Sequence, residues 1–313
     1  MSGTLLLPPG GWDGEGDRPV VSYAVGTHGL GDRCAPSVQL RNGTEQELRL
    51  MQQALRRGWA VVVTDYEGLG TPGPHPYAVA LSEAHAVLDA VRAAVVVPGA
   101  DLSVAAPVGI WGYSQGGGAV AAAAEQAGTY APELDIRGVA AGGVPADLAE
   151  VFAANARNRI ATGLIAAATT GFDAAYPELR LRERLTPTGQ RLYDDVRDDC
   201  VEQIVAKGLP FTAEQLSADA DPLAGARGRL AENSVGATAP AFPALVYHGG
   251  ADELIPVEQG RDLRDGWCAL GVDVRYREFP LGTHIGTAAV AGSSAVGFLA
   301  ERFSGVDAPS DCA

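Results

Sequence analysis

The sequence is poor in positive charge and has no long hydrophobic run. Among its 313 residues, 23 are basic and 38 are acidic, which gives a formal net charge of −15, and Lys207 is the single lysine. Nucleic acids and anionic membrane surfaces attract clustered positive charge, so neither is expected as a main partner. No stretch of about 18 consecutive apolar residues occurs, so we predict no transmembrane helix.

Cysteine is also scarce, and the start of the chain lacks the pattern of an export signal. Residues 1–10 contain no basic residue ahead of their short apolar run, so we predict no signal peptide there. The four cysteines lack the close spacing of zinc ligands, and we predict no metal site. If all four are oxidised, three pairings are possible, and the residues alone do not choose among them. The cysteines are Cys34, Cys200, Cys268 and Cys312.

The chain does have the apolar content of a protein with a large core. Apolar residues make up 47% of the sequence and charged residues 19%. Short valine-rich runs alternate with helical patterns, which favours a mostly parallel sheet covered by helices. We predict strands at Pro19–Val25, Trp59–Asp65, Val108–Tyr113, Arg137–Ala141, Ala244–His248 and Val272–Phe279, and helices at Tyr77–Val97, Ala119–Gln126, Val257–Leu270 and Ile285–Phe303.

A further helix is expected between the first two strands. The segment Thr44–Glu47 has the Thr-x-x-Glu pattern of a capping box, in which the threonine oxygen and the glutamate satisfy free amides at a helix start. Arg56 and Arg57 precede Gly58, an arrangement typical of a helix end.

Strand patterns are absent from the middle of the chain. Helical patterns occur instead at Glu150–Ala168, Leu185–Lys207 and Thr212–Asp219. A helical insertion of roughly 90 residues within an α/β sheet is typical of a cap or lid. We therefore predict an α/β core formed by residues 1–146 and 241–313, with a helical cap over 147–240.

The segment Gly112–Gly116 reads Gly-Tyr-Ser-Gln-Gly and matches the G-x-S-x-G nucleophile elbow. It follows a predicted buried strand and precedes a predicted helix, which is the setting that the motif requires. The glycines leave room for a strained turn that would present Ser114 at the end of the strand. Ser114 is therefore the candidate nucleophile, against the alternative of a serine in a plain glycine-rich turn.

A serine nucleophile needs a histidine base, and the sequence offers five. His284 lies in a glycine-flanked loop between the last predicted strand and the last helix, at the sheet edge where catalytic groups of α/β proteins collect. We predict His284 as the base; a structural role is the ordinary alternative for any single histidine. The other histidines are His28, His75, His85 and His248.

The third catalytic group should be a carboxylate that orients the histidine. Asp252 follows the strand Ala244–His248 on a tight turn and is the candidate. Glu253 is the nearest rival and Asp273 the next, and Asp252 could also bond only its own backbone. The chain order Ser, Asp, His is the order found in α/β-hydrolases.

Two backbone amides are expected to stabilise the oxyanion that forms during acyl transfer. One is the N–H of Gln115, directly after the nucleophile. The other is the N–H of Thr27, in the loop after the first predicted strand, where a plain turn is the alternative.

Seven short segments, distributed over most of the chain, support this interpretation together. They are Gly3–Pro9, Gly26–Gly31, Cys34–Ser37, Asp65–Gly68, Gly112–Gly117, Gly249–Asp252 and Thr283–His284. With them the sequence resembles the secretory lipase family of α/β-hydrolases, which includes the yeast lipase A type. The resemblance implies hydrolysis of carboxylic esters, often lipid esters, beneath a helical lid.

The resemblance also implies features that the residues alone leave open. Disulfides would join Cys34 to Cys200 and Cys268 to Cys312. An oxidising compartment, and hence secretion, would follow. Members normally carry a signal peptide and a segment ahead of the first strand, and this chain begins inside that region.

The main hypothesis is a serine carboxylic-ester hydrolase that uses no cofactor. Acyl transfer to another acceptor and hydrolysis of small peptides or amides would use the same triad. A non-catalytic binding protein with the same fold is the alternative from another class. The expected partner is a small-molecule or lipid ester, with a lipid–water interface as a further contact surface; the negative net charge favours uncharged esters.

The most apolar part of the predicted cap is a candidate acyl-binding segment. Leu164, Ile165 and Phe172 lie in the stretch Ile160–Phe172 and could line a tunnel for an acyl chain. The alternative is that they form the core of the cap itself.

Overall fold

A computed structural model describes residues 1–312 and contains one seven-stranded sheet in the order β1-β3-β2-β4-β5-β6-β7. Strands β2 to β7 run parallel to their neighbours, and β1 pairs antiparallel with β3 at one edge. The strands are β1 (Gly3–Leu6), β2 (Val20–Ala24), β3 (Ala60–Thr64), β4 (Val108–Tyr113), β5 (Ile136–Gly142), β6 (Ala244–Gly249) and β7 (Val274–Phe279).

Strands β2, β3, β4 and β6 are buried at every position, as their valine-rich sequences predict for a sheet covered on both faces. All six predicted strands are present, with bounds that differ by up to two residues. The edge strand β1 was not predicted, because four residues of an exposed or half-buried strand give little pattern.

Helices flank the sheet. Helix α3 packs on α4 beside β2 and β3, while α12 packs on β5 and β6. The core helices are α1 (Pro36–Asn42), α2 (Leu48–Leu55), α3 (Ala80–Ala94), α4 (Gln115–Tyr130), α11 (Val257–Ala269) and α12 (His284–Phe303), and those between β5 and β6 are α5 (Leu148–Asn155), α6 (Arg159–Ala175), α7 (Pro187–Asp195), α8 (Val201–Gly208), α9 (Ala213–Leu216) and α10 (Arg227–Glu232).

The segment between β5 and β6 is helical, as predicted, but its helices are shorter than expected, and α9 covers only Ala213–Leu216 of the predicted helix Thr212–Asp219. The predicted helix Glu150–Ala168 is divided between α5 and α6, and Asn158 caps the second with its side chain. The predicted helix Leu185–Lys207 is divided between α7 and α8. The apolar side chains of the inserted helices form a cluster around Ala167, Leu192 and Ile204, and this cluster is separate from the core of the sheet.

The predicted capping box at Thr44–Glu47 is wrong. Helix α2 begins at Leu48, and Glu47, which precedes it, makes no side-chain bond to the helix start. Its carboxylate instead accepts hydrogen bonds from the Tyr23 hydroxyl at 2.6 Å and the Gly26 amide at 2.8 Å. The local pattern was misleading because groups at the end of β2 bind the glutamate.

Two disulfides join distant parts of the chain with the pairing that the family resemblance implied. Cys34–Cys200 connects the segment after β2 to the start of α8, and Cys268–Cys312 connects α11 to the C-terminal tail. Within residues 1–312, no helix has the length and apolarity needed to cross a membrane.

Candidate active site

Ser114 lies on a tight turn between β4 and α4. Its φ of 59° and ψ of −123° are strained values for a residue with a side chain, and its amide donates to Gly142 O at 2.9 Å. The turn therefore holds the hydroxyl at the carboxyl end of a central strand, in the geometry that the motif predicted.

The glycines of the motif are required by close backbone contacts. A Cβ atom at Gly112 would lie 2.6 Å from the carbonyl oxygens of Ala24 and Gly116. At Gly116 it would overlap the Ala24 carbonyl oxygen. Both positions therefore need a residue without a side chain for β2, β4 and α4 to meet this closely.

The ring of His284 is positioned to accept the proton of Ser114. His284 is the first residue of α12, directly after the loop that follows β7, and its side chain is 4% exposed. Its Nε2 lies 2.8 Å from Ser114 Oγ, although the two residues are 170 positions apart in the sequence. This distance is within hydrogen-bond reach for a nucleophile and its base.

Asp252 completes the line on the other side of the ring. Its Oδ2 lies 2.7 Å from His284 Nδ1, and its Oδ1 accepts the amides of Leu254 and Ile255. Burial by itself would raise the pKa of Asp252, but the hydrogen bond and charge of His284 and the two amides outweigh it and lower the pKa. The carboxylate is thus held ionised facing Nδ1.

The two rival acids occupy other positions. Glu253 accepts the backbone amide of His284 at 3.0 Å through its carboxylate, so it anchors the start of α12. Asp273 precedes β7, at the opposite end of the strands, where its backbone carbonyl accepts the amide of Ala244. Asp252 is the acid that contacts the imidazole.

The other four histidines make different contacts. His28 pairs with Glu45, and His75 Nδ1 lies 2.8 Å from Glu67 O. His85 of α3 is half-buried and stacks against Tyr130, with ring centroids 3.8 Å apart. His248 is fully buried behind Asp252, with its Nε2 3.6 Å from Oδ2 of that carboxylate.

The two predicted oxyanion donors lie on either side of the elbow. Gln115 is the first residue of α4, and Thr27 follows β2, the strand next to β4. Neither backbone amide has an acceptor within residues 1–312, and both residues line the same cavity as Ser114. Free amides at a helix start carry partial positive charge, which suits the Gln115 amide to bind an anion, and the free Thr27 amide can donate a second hydrogen bond.

A cavity of about 230 Å³ extends from Ser114 and His284 between the sheet and the inserted helices. Leu164, Ile165 and Phe172 all contribute to its wall from α6. Phe172 also packs in an apolar cluster with Val79 and Leu230, so the predicted acyl-binding role and the alternative core role overlap at this residue.

Sequence reasoning missed one buried acid at this cavity. Glu83 of α3 lines the wall and accepts hydrogen bonds from Gln115 Nε2 at 2.8 Å and from the Ala78 amide at 2.9 Å. Burial raises its pKa to about 8 despite these two bonds. A glutamate within a helical pattern gives no signal of this, since its burial depends on the loop before α3 and on the elbow.

Comparison with known proteins agrees with this architecture. The family model described as secretory lipase matches residues 37–311. Lipase A of Arthroderma benhamiae is 30% identical over 338 aligned positions, which cover 99% of this chain and 68% of that protein. A probable inactive lipase of Mycobacterium tuberculosis is 30% identical over 300 positions, covering 92% and 66%.

Among solved structures, Candida antarctica lipase A in its closed state superposes with a TM-score of 0.85 at 26% identity. The alignment covers 99% of this chain and 75% of that one. The chain spans about two thirds of the length of the curated relatives it matches. With the family model matching most of its residues, the chain belongs to the secretory lipase family, which comprises carboxylic-ester hydrolases of the α/β-hydrolase fold.

Proposed function

We propose that this chain hydrolyses carboxylic esters through a covalent acyl-enzyme formed on Ser114, with His284 and Asp252 as the other members of the triad. The proposal depends most on the line of hydrogen bonds from Ser114 Oγ through the His284 ring to Asp252. Serine and histidine in direct contact, with a carboxylate behind the histidine, form the arrangement that activates a hydroxyl nucleophile.

Acylation begins with the proton of Ser114. Asp252 accepts the Nδ1–H of His284, so Nε2 carries the free lone pair and takes the proton from Oγ. Oγ attacks the ester carbonyl carbon, and the carbonyl oxygen becomes an oxyanion that the amides of Thr27 and Gln115 bind. His284 then gives its proton to the alcohol oxygen as the bond to it breaks.

Deacylation repeats the sequence with water. His284 takes a proton from a water molecule, whose oxygen attacks the acyl carbon, and the same two amides hold the second oxyanion. The proton returns to Ser114 Oγ as the carboxylic acid leaves. Throughout, the ionised Asp252 stabilises the imidazolium without itself taking the proton.

The substrate class follows from the cavity and the relatives. Leu164, Ile165 and Phe172 give the wall an apolar surface from α6, which suits the hydrocarbon part of an acyl group. Several relatives are named lipases, among them the Arthroderma benhamiae protein. We infer an uncharged ester with an apolar acyl chain, taken from solution or from a lipid–water interface.

A non-catalytic role is the competing interpretation, because one relative is named a probable inactive lipase. In this chain the contacts among Ser114, His284 and Asp252, together with the two free amides, support catalysis instead.

The secreted relatives and the two disulfides support an extracellular location.

Turnover of p-nitrophenyl esters by Ser114→Ala tests the proposal. We expect a loss of at least about 1,000-fold in kcat, as for removal of a triad member. Ser304→Ala, at the exposed end of α12, serves as the control and should retain wild-type turnover. Unchanged turnover by Ser114→Ala would refute the assignment.

Two further assays separate the chemical alternatives. Product analysis with a competing alcohol or amine measures how much acyl group goes to an acceptor other than water. Aminoacyl anilides measure amide cleavage. We expect free acid as the main product and ester cleavage well above anilide cleavage.

A further inference from the structure

A buried ion pair supports the loop that carries Thr27. His28 Nε2 lies 2.9 Å and 3.0 Å from the two carboxylate oxygens of Glu45, and both side chains are almost fully enclosed. Glu47 lies beside them, and its backbone amide donates to Glu45 at 2.9 Å. We name His28, Glu45 and Glu47 the loop-support cluster.

The cluster holds the residue before Thr27 at both of its backbone polar groups. The Gly26 amide donates to Glu47 Oε1 at 2.8 Å, and His28 Nδ1 donates to Gly26 O at 2.9 Å. Gly26 O and the Thr27 amide belong to one peptide unit, and in a trans peptide these two groups point in opposite directions. Because the Gly26 carbonyl is held toward the His28 ring, the Thr27 N–H is held pointing away from that ring.

The ring of His28 faces an acceptor at each nitrogen. Nδ1 faces a carbonyl and Nε2 faces a carboxylate, and an imidazole can donate to both only when it carries two protons. Burial by itself would lower the pKa of His28, but the hydrogen bond and charge of Glu45 outweigh it and raise the pKa to about 9. A cation bonded to Gly26 O also polarises the peptide, which strengthens the Thr27 N–H as a donor.

We propose that His28 and Glu45 are positioning residues for the oxyanion: they orient and polarise the Gly26–Thr27 peptide, and so act on the chemical step without touching substrate. The inference rests on the proposed function, because it concerns the donor that Thr27 supplies there.

The loop has other anchors, so its overall path does not depend on the ring alone. Val201 donates its amide to His28 O, Leu30 donates to Asp199 O, and the Cys34–Cys200 disulfide lies close by. Loss of the ring contact should therefore leave the loop in place and release the orientation of one peptide unit.

Two substitutions at His28 separate these roles. In His28→Asn the side-chain amide nitrogen lies near the former Nδ1 and can still donate to Gly26 O. In His28→Gln the amide reaches the region of Nε2 and the bond to Gly26 O is lost. His85→Asn, on the surface of α3, is the matched control and should keep wild-type kinetics.

For His28→Gln we expect kcat to fall about 10- to 100-fold with KM within about threefold of wild type, somewhat less than complete removal of an oxyanion donor. His28→Asn should recover most of that loss. Because binding of a planar ester does not use the oxyanion donors fully, a split between kcat and KM is the signature of a positioning role.

Three results would overturn the inference: wild-type kcat in His28→Gln, a rise in KM as large as the fall in kcat, or no recovery of kcat in His28→Asn. If the His28 variants do not fold, Glu45→Gln decides, because it keeps an acceptor for Nε2 but removes the charge; its kcat should fall at least threefold at unchanged KM. A wild-type protein that neither hydrolyses esters nor reacts with a fluorophosphonate at Ser114 would instead refute the proposed function.

Discussion

The carboxyl group of Glu83 is buried beside Gln115, and this burial makes the stability of the folded chain depend on pH. Its pKa of about 8 in the folded chain, raised by burial, lies above the ordinary value of 4.5. The folded state therefore holds the proton more tightly than the unfolded chain does. The stability that this residue contributes is fully present below about pH 4.5 and is lost as the pH rises through 8.

Glu83→Gln should reduce this pH dependence. The amide keeps an acceptor for Gln115 and Ala78 but carries no ionisable proton. We expect the free energy of unfolding of the variant to decline less than that of wild type between pH 5 and pH 8, with the variant the more stable at pH 8. Urea unfolding followed by circular dichroism at several pH values measures this, and parallel curves for both proteins would contradict it.

The elbow glycine Gly116 gives a second prediction at this scale. Gly116→Ala should lower the free energy of unfolding by about 2 kcal/mol or more, because its methyl group overlaps the Ala24 carbonyl on the neighbouring strand. Gly118→Ala is the matched control on the same helix, since its nearest neighbour would be Pro145 at 3.4 Å. Chemical denaturation of both variants checks the difference, and equal stabilities would contradict it.

At the scale of elements, the sheet was predictable because its strands are buried on both faces. Such strands consist mainly of valine and alanine, as in β3, and stand out from the helices around them. The edge strand β1 was not predicted because its pairing with β3 is set by backbone hydrogen bonds rather than by an apolar pattern. Glu47 was misassigned for the related reason that its partners lie on another segment.

Helix α6 forms part of the cavity wall and should influence the acyl chain length that the protein accepts. Leu164→Trp adds bulk at the cavity, so we expect kcat/KM for a dodecanoyl ester relative to a butanoyl ester to fall about tenfold, equivalent to about 1.4 kcal/mol. Ile160 lies on the exposed side of the same helix, so Ile160→Trp is the control. A p-nitrophenyl ester series gives the ratio, and equal ratios in the two variants would exclude Leu164 from acyl binding.

At the scale of the whole molecule, the two disulfides close loops of different lengths. The residues they join are 166 and 44 positions apart. Cys34–Cys200 ties the segment after β2, and with it the Thr27 loop, to the inserted helices. Cys268–Cys312 holds the tail, whose Asp311 amide also donates to Val274 O.

Both bridges should be present in the protein isolated without reductant. Thiol titration of the unfolded, unreduced chain should detect no reactive thiol, whereas four would contradict both bridges. Replacing Cys268 and Cys312 by serine should lower the free energy of unfolding by about 2–4 kcal/mol. Replacing Cys34 and Cys200 by serine should lower it by at least as much, because that disulfide closes a longer loop. Urea unfolding of the two double variants measures the losses.

The proximity of Ser114, Asp252 and His284 could be predicted from sequence because each residue lies at or shortly after the end of a strand, and parallel strands bring their carboxyl ends to one edge of the sheet. Ser114 follows β4, Asp252 follows β6 and His284 follows β7. The loop-support cluster gave no comparable signal. His28 and Glu45 belong to segments with no shared motif, and their pairing arises only from the packing of the whole chain.

The central claim is that Ser114 becomes acylated during turnover. Rapid acid quenching of the protein with a p-nitrophenyl ester, followed by mass spectrometry, tests it most directly. We predict a mass increase of one acyl group on the peptide that contains Ser114, absent in Ser114→Ala and lost as substrate is exhausted. Steady ester hydrolysis with the acyl group on another residue, or persisting in Ser114→Ala, would contradict the claim.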